Sequence, residues 1–460
     1  MPVGGMRKKT IIIVYEFYTM NKIKNPLLLK AKTIAVFLNR PWTKDAWLSW
    51  WAILFLCACF FCNSSRPFLH RETVDNLPRD FINVYCGARL LLSNTNPYND
   101  SLIKITWQSV ASQNHFKPTY MPGLPDAPLL YPPFSIAFFL PFAFLPYRAA
   151  YSIWWALILL SVAGYCLLLP RIFNRQYIGR SAFIKSIEVA MLLLTFKTTF
   201  TIMLSGQPCV IFFFASIAAL WADNKKHTLL SGLMLGLAAI KINIALPVYL
   251  VFYFRKSWKP LIIAFAVIFA NLCIFLFSVP DMLECFDSYF TMLNLYQNAL
   301  LLDNHLNYSS SQISSLVNAF TYPDRIQLHL LTISLLFILF ICAIILYIKK
   351  KKPVKIEFLF LSFFAIALLT YVKYYDFAFL AGLGYFYLFN MNSKYLKSIF
   401  FIINLPLFVP VVGLILQFNL PMNFFTKIAL VHLPLIVVAD SALIYYYILK
   451  GKSRMRLYLK

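Results

Sequence analysis

Several stretches of this 460-residue chain place polar side chains where they could do chemistry. The first is RDFINVYCGARLLLSNTNPYND at 79–100. Asp80 falls in the first turn of a helix that Pro78 can open, and Pro97 closes the segment. Such a carboxylate can take a proton from a hydroxyl as general base, or it can simply complement the helix dipole. Phe81, Tyr85, Ala88 and Leu92 form an apolar stripe, so the helix is expected to lie in a membrane interface, with Tyr85 as a candidate substrate contact.

Lys241, in LGLAAIKINIALP, is a cation inside apolar sequence. Such a residue marks a functional site, here for an anion, or else snorkels to the membrane surface. Gln207, in the tight turn SGQP at 205–208, either hydrogen-bonds a ligand or caps the turn. The polar run HLNYSSSQISSLVN at 305–318 offers Asn307, Ser311 and Gln312 to sugar hydroxyls, although any solvated loop can look like this. KYYDF at 373–377 puts Lys373 and Asp376 beside Tyr375, either as a site or as an internal ion pair. With Lys241 and Lys373, Arg325 supplies the cations suited to a departing phosphate. Tyr131 opens a Pro-rich stretch, 121–146, that can sit at membrane depth only where it lines a cavity or is buried in protein; a plain interfacial loop is the alternative. No phosphate-binding glycine loop, His-rich metal set or Ser-His-Asp order is present, and no paired acidic motif calls for a divalent ion. Metal-independent chemistry without a cofactor is expected.

The elements that carry these residues must be membrane helices. The chain is 60% hydrophobic and 13% charged, with a mean hydropathy of +0.70, where soluble domains carry about 25% charged residues. About twelve apolar runs can be placed as crossings, among them 150–170, 208–222, 228–240, 243–254, 260–279 and 328–348. The expected fold is therefore an all-α polytopic bundle with external juxtamembrane helices. Its net charge of +25 reflects basic residues at the ends of apolar runs, the pattern of a topology signal and not of nucleic-acid binding. With both termini cytoplasmic, roughly 30 of the 42 Lys and Arg residues fall inside and roughly 11 outside. This leaves a basic cytoplasmic segment, 1–46, with no cleavage site after it, and one transmembrane domain, 47–460, with external segments 64–149 and 280–327. The Pro-rich 131–146 is expected as a re-entrant or surface helix, and 228–254 as two helices split near Lys241. Cys86 and Cys285 both fall outside, which opens a disulfide as one reading. Abundant Lys, Phe and Ile with only 13 Gly suggest a low-GC genome and a bacterial inner membrane.

Four stretches, in order, resemble the GT-C glycosyltransferases, and within them the polyprenyl-phosphate-mannose-dependent mannosyltransferases of glycosyltransferase family 87. They are RDFINVYCGARLL with NPY at 96–98, YPPFSIAFFLPFAFLPYRAAYSIWWAL at 131–157, SGQPCVIFFFASIAAL at 205–220, and SGLMLGLAAIKINIALPVYLVFYFRKSW at 231–258. The resemblance is good over about 76–260 and weaker at 305–318 and 369–390. It implies a GT-C-like bundle that moves a mannose-like hexose from a polyprenyl-phosphate sugar to a glycolipid or cell-envelope glycan on the non-cytoplasmic face. It also implies Asp80 as the base, Lys241 near the donor phosphate and Gln207 in the same cavity. The family often has a histidine near the place where this chain has Lys373, Tyr374 and Tyr375. A flippase or other transporter is the rival class; it leaves the long external segment 64–149 unexplained.

Overall fold

The computed structural model of the chain describes residues 79–114, 129–173 and 206–302, with Ser186, Ile187, Val189, Ala190 and Leu193 between them. The chain divides into two units, Met1–Phe55 and Leu56–Lys460, and every described residue belongs to the second. Among the described residues the structure is entirely helical: α1 Arg79–Leu92, α2 Asp100–Gln113, α3 Pro133–Ala137, α4 Leu140–Ala143, α5 Tyr147–Phe173, α6 Cys209–Asn224, α7 Thr228–Ala238, α8 Ile242–Phe254, α9 Trp258–Ser278 and α10 Met282–Leu302.

Proline and short polar side chains set most of the boundaries. Pro133 fills the first position of α3, where its missing N–H costs nothing. Pro208 precedes α6. The Asn99 side chain caps α2 by accepting from the Leu102 N–H at 3.1 Å. Asp281 does the same for α10, accepting from Leu283 and Glu284.

α6, α7, α8 and α9 pack into one bundle with α5 against α6. The approach of α7 to α9 is set by glycine. A Cβ on Gly232 would stand 2.5 Å from Ile263 Cβ and 2.9 Å from the Pro260 carbonyl oxygen, and one on Gly236 would stand 2.6 Å from Val267 Cβ. This Gly-x-x-x-Gly face lets the two backbones close up, as small residues do in membrane bundles. Both pairs run in the same sense, so α7 and α9 are parallel. Continued along the helices, their 31-residue offset sets Lys241 level with about Leu272, roughly 9 Å short of the end of α9 at 1.5 Å per residue.

Two described helices, Tyr147–Ile172 and Trp258–Ser278, are long and apolar enough to cross a membrane. The expected crossings at 208–222, 228–240 and 243–254 appear as shorter apolar helices of 16, 11 and 13 residues. At 1.5 Å per residue none reaches the thickness of a bilayer core of about 30 Å. Crossings expected at 47–63 and beyond 328 lie outside the described residues.

Two expectations change at the surface. The segment 131–146 is not one helix but two short ones, α3 and α4, separated at Phe138 and Phe139. It is held in protein: Ser135, Ile136, Ala137 and Phe139 are buried, and α3 packs on α9 and α1. α1 does not lie with one face bare. Phe81, Val84, Cys86, Ala88 and Leu91 are all buried, while Leu92 of the anticipated stripe is exposed. Contacts with α2, α3 and α4 cover it on several sides. Cys86 and Cys285 are both buried free thiols, so the disulfide reading is corrected. Burial pushes the Cys86 thiol well up.

Candidate functional site

Chain direction brings the polar candidates to one end of the bundle. α6 runs from the Gln207 turn to Asn224, α7 returns from Thr228 toward Lys241, and α8 starts again at Ile242. Gln207 and Lys241 therefore share an end, and so do the N-termini of α6 and α8. Helix N-termini carry partial positive charge, so this end favours an anion twice over, before Lys241 is counted. Lys241 stands at the N-cap of α8 and is half-buried.

The turn before α6 is shaped by Gly206, whose φ of 67° favours glycine. Its carbonyl accepts a hydrogen bond from the Trp154 indole N–H of α5 at 2.8 Å. The neighbouring Gln207 is 3% exposed.

Trp154 is the hub through which the Asp80 helix reaches this turn. Phe81, the residue after Asp80, stacks on Trp154 with ring centroids 5.2 Å apart. Phe139 and Phe142 close on the same indole at 5.4 and 5.3 Å. The α3–α4 hairpin ties the Lys241 break to this cluster, since the Ser135 hydroxyl donates to the Ile240 carbonyl at 2.9 Å. Asp80, half-buried, Gln207 and Lys241 are thus each one residue from a member of one packed network.

Tyr85 and Tyr131 are placed differently. Tyr85 is buried and its hydroxyl donates to the Leu145 carbonyl at 2.8 Å. Burial raises its pKa, with Arg89 pulling the other way, so it remains a donor. Arg89 itself donates to the Ala143 carbonyl at 3.1 Å. Together they fasten α1 to the end of α4. Tyr131 is half-buried, and its carbonyl accepts from the Tyr98 hydroxyl at 2.7 Å. Burial holds Tyr98 well above the usual tyrosine range.

Asn96 joins the segment between α1 and α2 to α10. It is buried, and its amide donates to Ser288 Oγ at 3.0 Å and Glu284 Oε1 at 3.4 Å on α10. Its own side-chain oxygen accepts from the Tyr98 N–H at 2.9 Å. Trp154 and Ser135 likewise gain their meaning only from partners far along the chain. A tryptophan in an apolar helix does need an N–H partner when buried, and that is the one signal available in advance. Asn307, Ser311, Gln312, Arg325, Lys373, Tyr375 and Asp376 lie outside the described residues.

No curated protein sequence and no solved structure matches the chain. One family model does, over residues 129–390, more than half of the sequence. The match takes in Tyr131, Trp154, Gln207 and Lys241 together with the candidates beyond 303, while Asp80 and Tyr85 precede it. A family model that matches more than half of the sequence shows the family, and the chain belongs to glycosyltransferase family 87.

Proposed function

We propose that this glycosyltransferase moves a mannose-like hexose from a polyprenyl-phosphate sugar to a glycolipid or cell-envelope glycan on the non-cytoplasmic face, with inversion at the anomeric carbon. The observation that supports this best is the end of the bundle shared by the N-termini of α6 and α8 and by Lys241, which falls short of the end of α9. A phosphate on a lipid chain is the anion suited to such a place. Its charge meets the helix ends and the lysine, while its tail stays among apolar helices.

In the reaction the acceptor oxygen forms a bond to the anomeric carbon as the bond from that carbon to the phosphate oxygen breaks. The acceptor proton passes to the Asp80 carboxylate, and polyprenyl phosphate leaves with the bonding electrons. Lys241 offsets the charge that builds on the leaving phosphate, with Arg325 and Lys373 as further cations. Gln207 and Tyr131, then Asn307, Ser311, Gln312, Tyr375 and Asp376, are assigned to the sugar and acceptor, and Tyr85 to the wall behind Asp80. No metal or cofactor enters the step.

Purified protein given radiolabelled polyprenyl-phosphate hexose and a lipid acceptor should release polyprenyl phosphate and label the acceptor. Labelled donor that crosses a vesicle membrane with its sugar–phosphate bond intact would make the protein a transporter instead.

A further inference from the structure

At the opposite end of the bundle two turns share one backbone. The α6–α7 turn closes with the His227 N–H donating to the Ala222 carbonyl at 2.9 Å, and the α8–α9 turn with the Ser257 N–H donating to Phe252 at 3.0 Å. In each the preceding residue is left-handed: Lys226 has φ 62° and Lys256 has φ 58°. Glycine is the usual occupant of that position and asparagine the next. The same closure ends α1, where Thr95 bonds to Leu90 and the left-handed residue is Asn94. Here lysine takes the place twice, and both side chains are exposed.

The two turns lie side by side. Asp223 Oδ2 is 3.4 Å from the Arg255 guanidinium and accepts from the Ser257 hydroxyl at 3.4 Å. That pairing occupies the nearby carboxylate. Lys225, Lys226, Lys256 and Lys259 are exposed around it. α7 and α9 both start here, which adds positive potential. The surface beside the lysines is apolar: Leu229, Tyr253 and Trp258 are 64%, 53% and 50% exposed. The Tyr253 and Trp258 rings meet edge to face at 5.4 Å. Exposed aromatic rings next to lysines are the arrangement found at headgroup depth.

We propose that these paired turns bind the phosphate headgroups of anionic phospholipids in the leaflet they face, with Lys226 and Lys256 as the principal contacts and Trp258 and Tyr253 against the glycerol and upper acyl region. The occupant must be anionic at one end and apolar at its root, which a soluble anion is not.

The test uses the full chain and the double variant Lys226→Gly with Lys256→Gly. Glycine relaxes both left-handed turns, so folding is kept while the charges go. Lipid retained by detergent-purified protein is read by native mass spectrometry after exposure to phosphatidylglycerol or to phosphatidylcholine. The wild-type chain should retain phosphatidylglycerol in preference. The preference should fall about fivefold for each lysine removed, and about 25-fold for both. Lys226→Asn with Lys256→Asn, which also suits the turns, should show the same loss, while the double arginine variant keeps the preference. Equal retention of the two lipids by the wild type, or an unchanged preference in the glycine and asparagine variants, overturns the proposal. So does displacement of phosphatidylglycerol by inorganic phosphate, which would make this a simple anion site. Binding of polyglutamate without any lipid preference would point to an acidic protein instead, and overturns it as well.

Discussion

Replacing Asp80 by asparagine separates two readings of one carboxylate. Asparagine keeps the shape and the hydrogen-bonding reach but cannot take a proton. If Asp80 is the base, transfer should slow by about 10²–10⁴-fold with donor binding kept. If it only complements the dipole of α1, the loss is about 0.3–1 kcal/mol of stability, with activity retained. A transfer assay beside a thermal unfolding scan tells them apart. A near wild-type rate would move the search to Asp75, Asp126 and Asp376. Lys241 is tested by the same logic. Methionine fills the space of its stem but carries no charge, so Lys241→Met should weaken binding of the lipid-phosphate donor at least tenfold, while Lys241→Arg keeps part of it. Unchanged affinity in Lys241→Met would reduce the residue to a snorkelling anchor.

The helices show which parts of this arrangement were legible from sequence. Apolar runs bounded by Pro208, by Lys241 and by the Arg255–Lys256 pair read directly as α6, α7, α8 and α9, because length, proline and charge act locally. The break at Lys241 was legible for the same reason. The surroundings of α1 were not. A period of 3.6 can show one apolar stripe, but it cannot show that α2, α3 and α4 cover the remaining faces. The bond from Trp154 to Gly206 spans 52 residues and that from Asn96 to Ser288 spans 192, and no local pattern encodes either. The Gly232–Gly236 spacing was visible as a Gly-rich helix, yet its partner face on α9 was not. That face gives a prediction about packing alone. In Gly232→Ala the new methyl meets Ile263 Cβ and the backbone oxygen of Pro260, neither the far end of a flexible side chain. The variant should lose about 1–3 kcal/mol of stability. In Gly164→Ala the methyl meets only the Phe214 ring, which can turn aside. A thermal scan in detergent should show the larger drop for Gly232→Ala; equal drops would mean that α7 and α9 do not depend on this approach.

At the scale of the whole molecule the two ends of the bundle differ in kind, and that difference makes the membrane orientation testable. One end carries the N-termini of α6 and α8, the α3–α4 hairpin and the start of α10, which Asn96 binds to the segment between α1 and α2. The other carries the two lysine turns. α9 joins them and is long enough to span, so an exposed residue at each end should face opposite compartments. Ser101, exposed at the start of α2, marks the first end, and Lys226, exposed in its turn, marks the second. The charge bias of the sequence predicts a cytoplasmic lysine end. In intact cells a membrane-impermeant maleimide should therefore label Ser101→Cys, and label Lys226→Cys only after the membrane is opened. Buried thiols add little background, since burial holds Cys86 and Cys285 protonated, Cys285 up to about 11. The reverse pattern would turn the bundle over and put the recessed phosphate site in the cytoplasm, where a lipid-linked donor would have to present its sugar from the other leaflet. Labelling of both positions in intact cells would mean that α9 does not span at all. The proposed site would then face water with no leaflet to hold the donor's tail, and transfer from a polyprenyl phosphate would lose its physical basis.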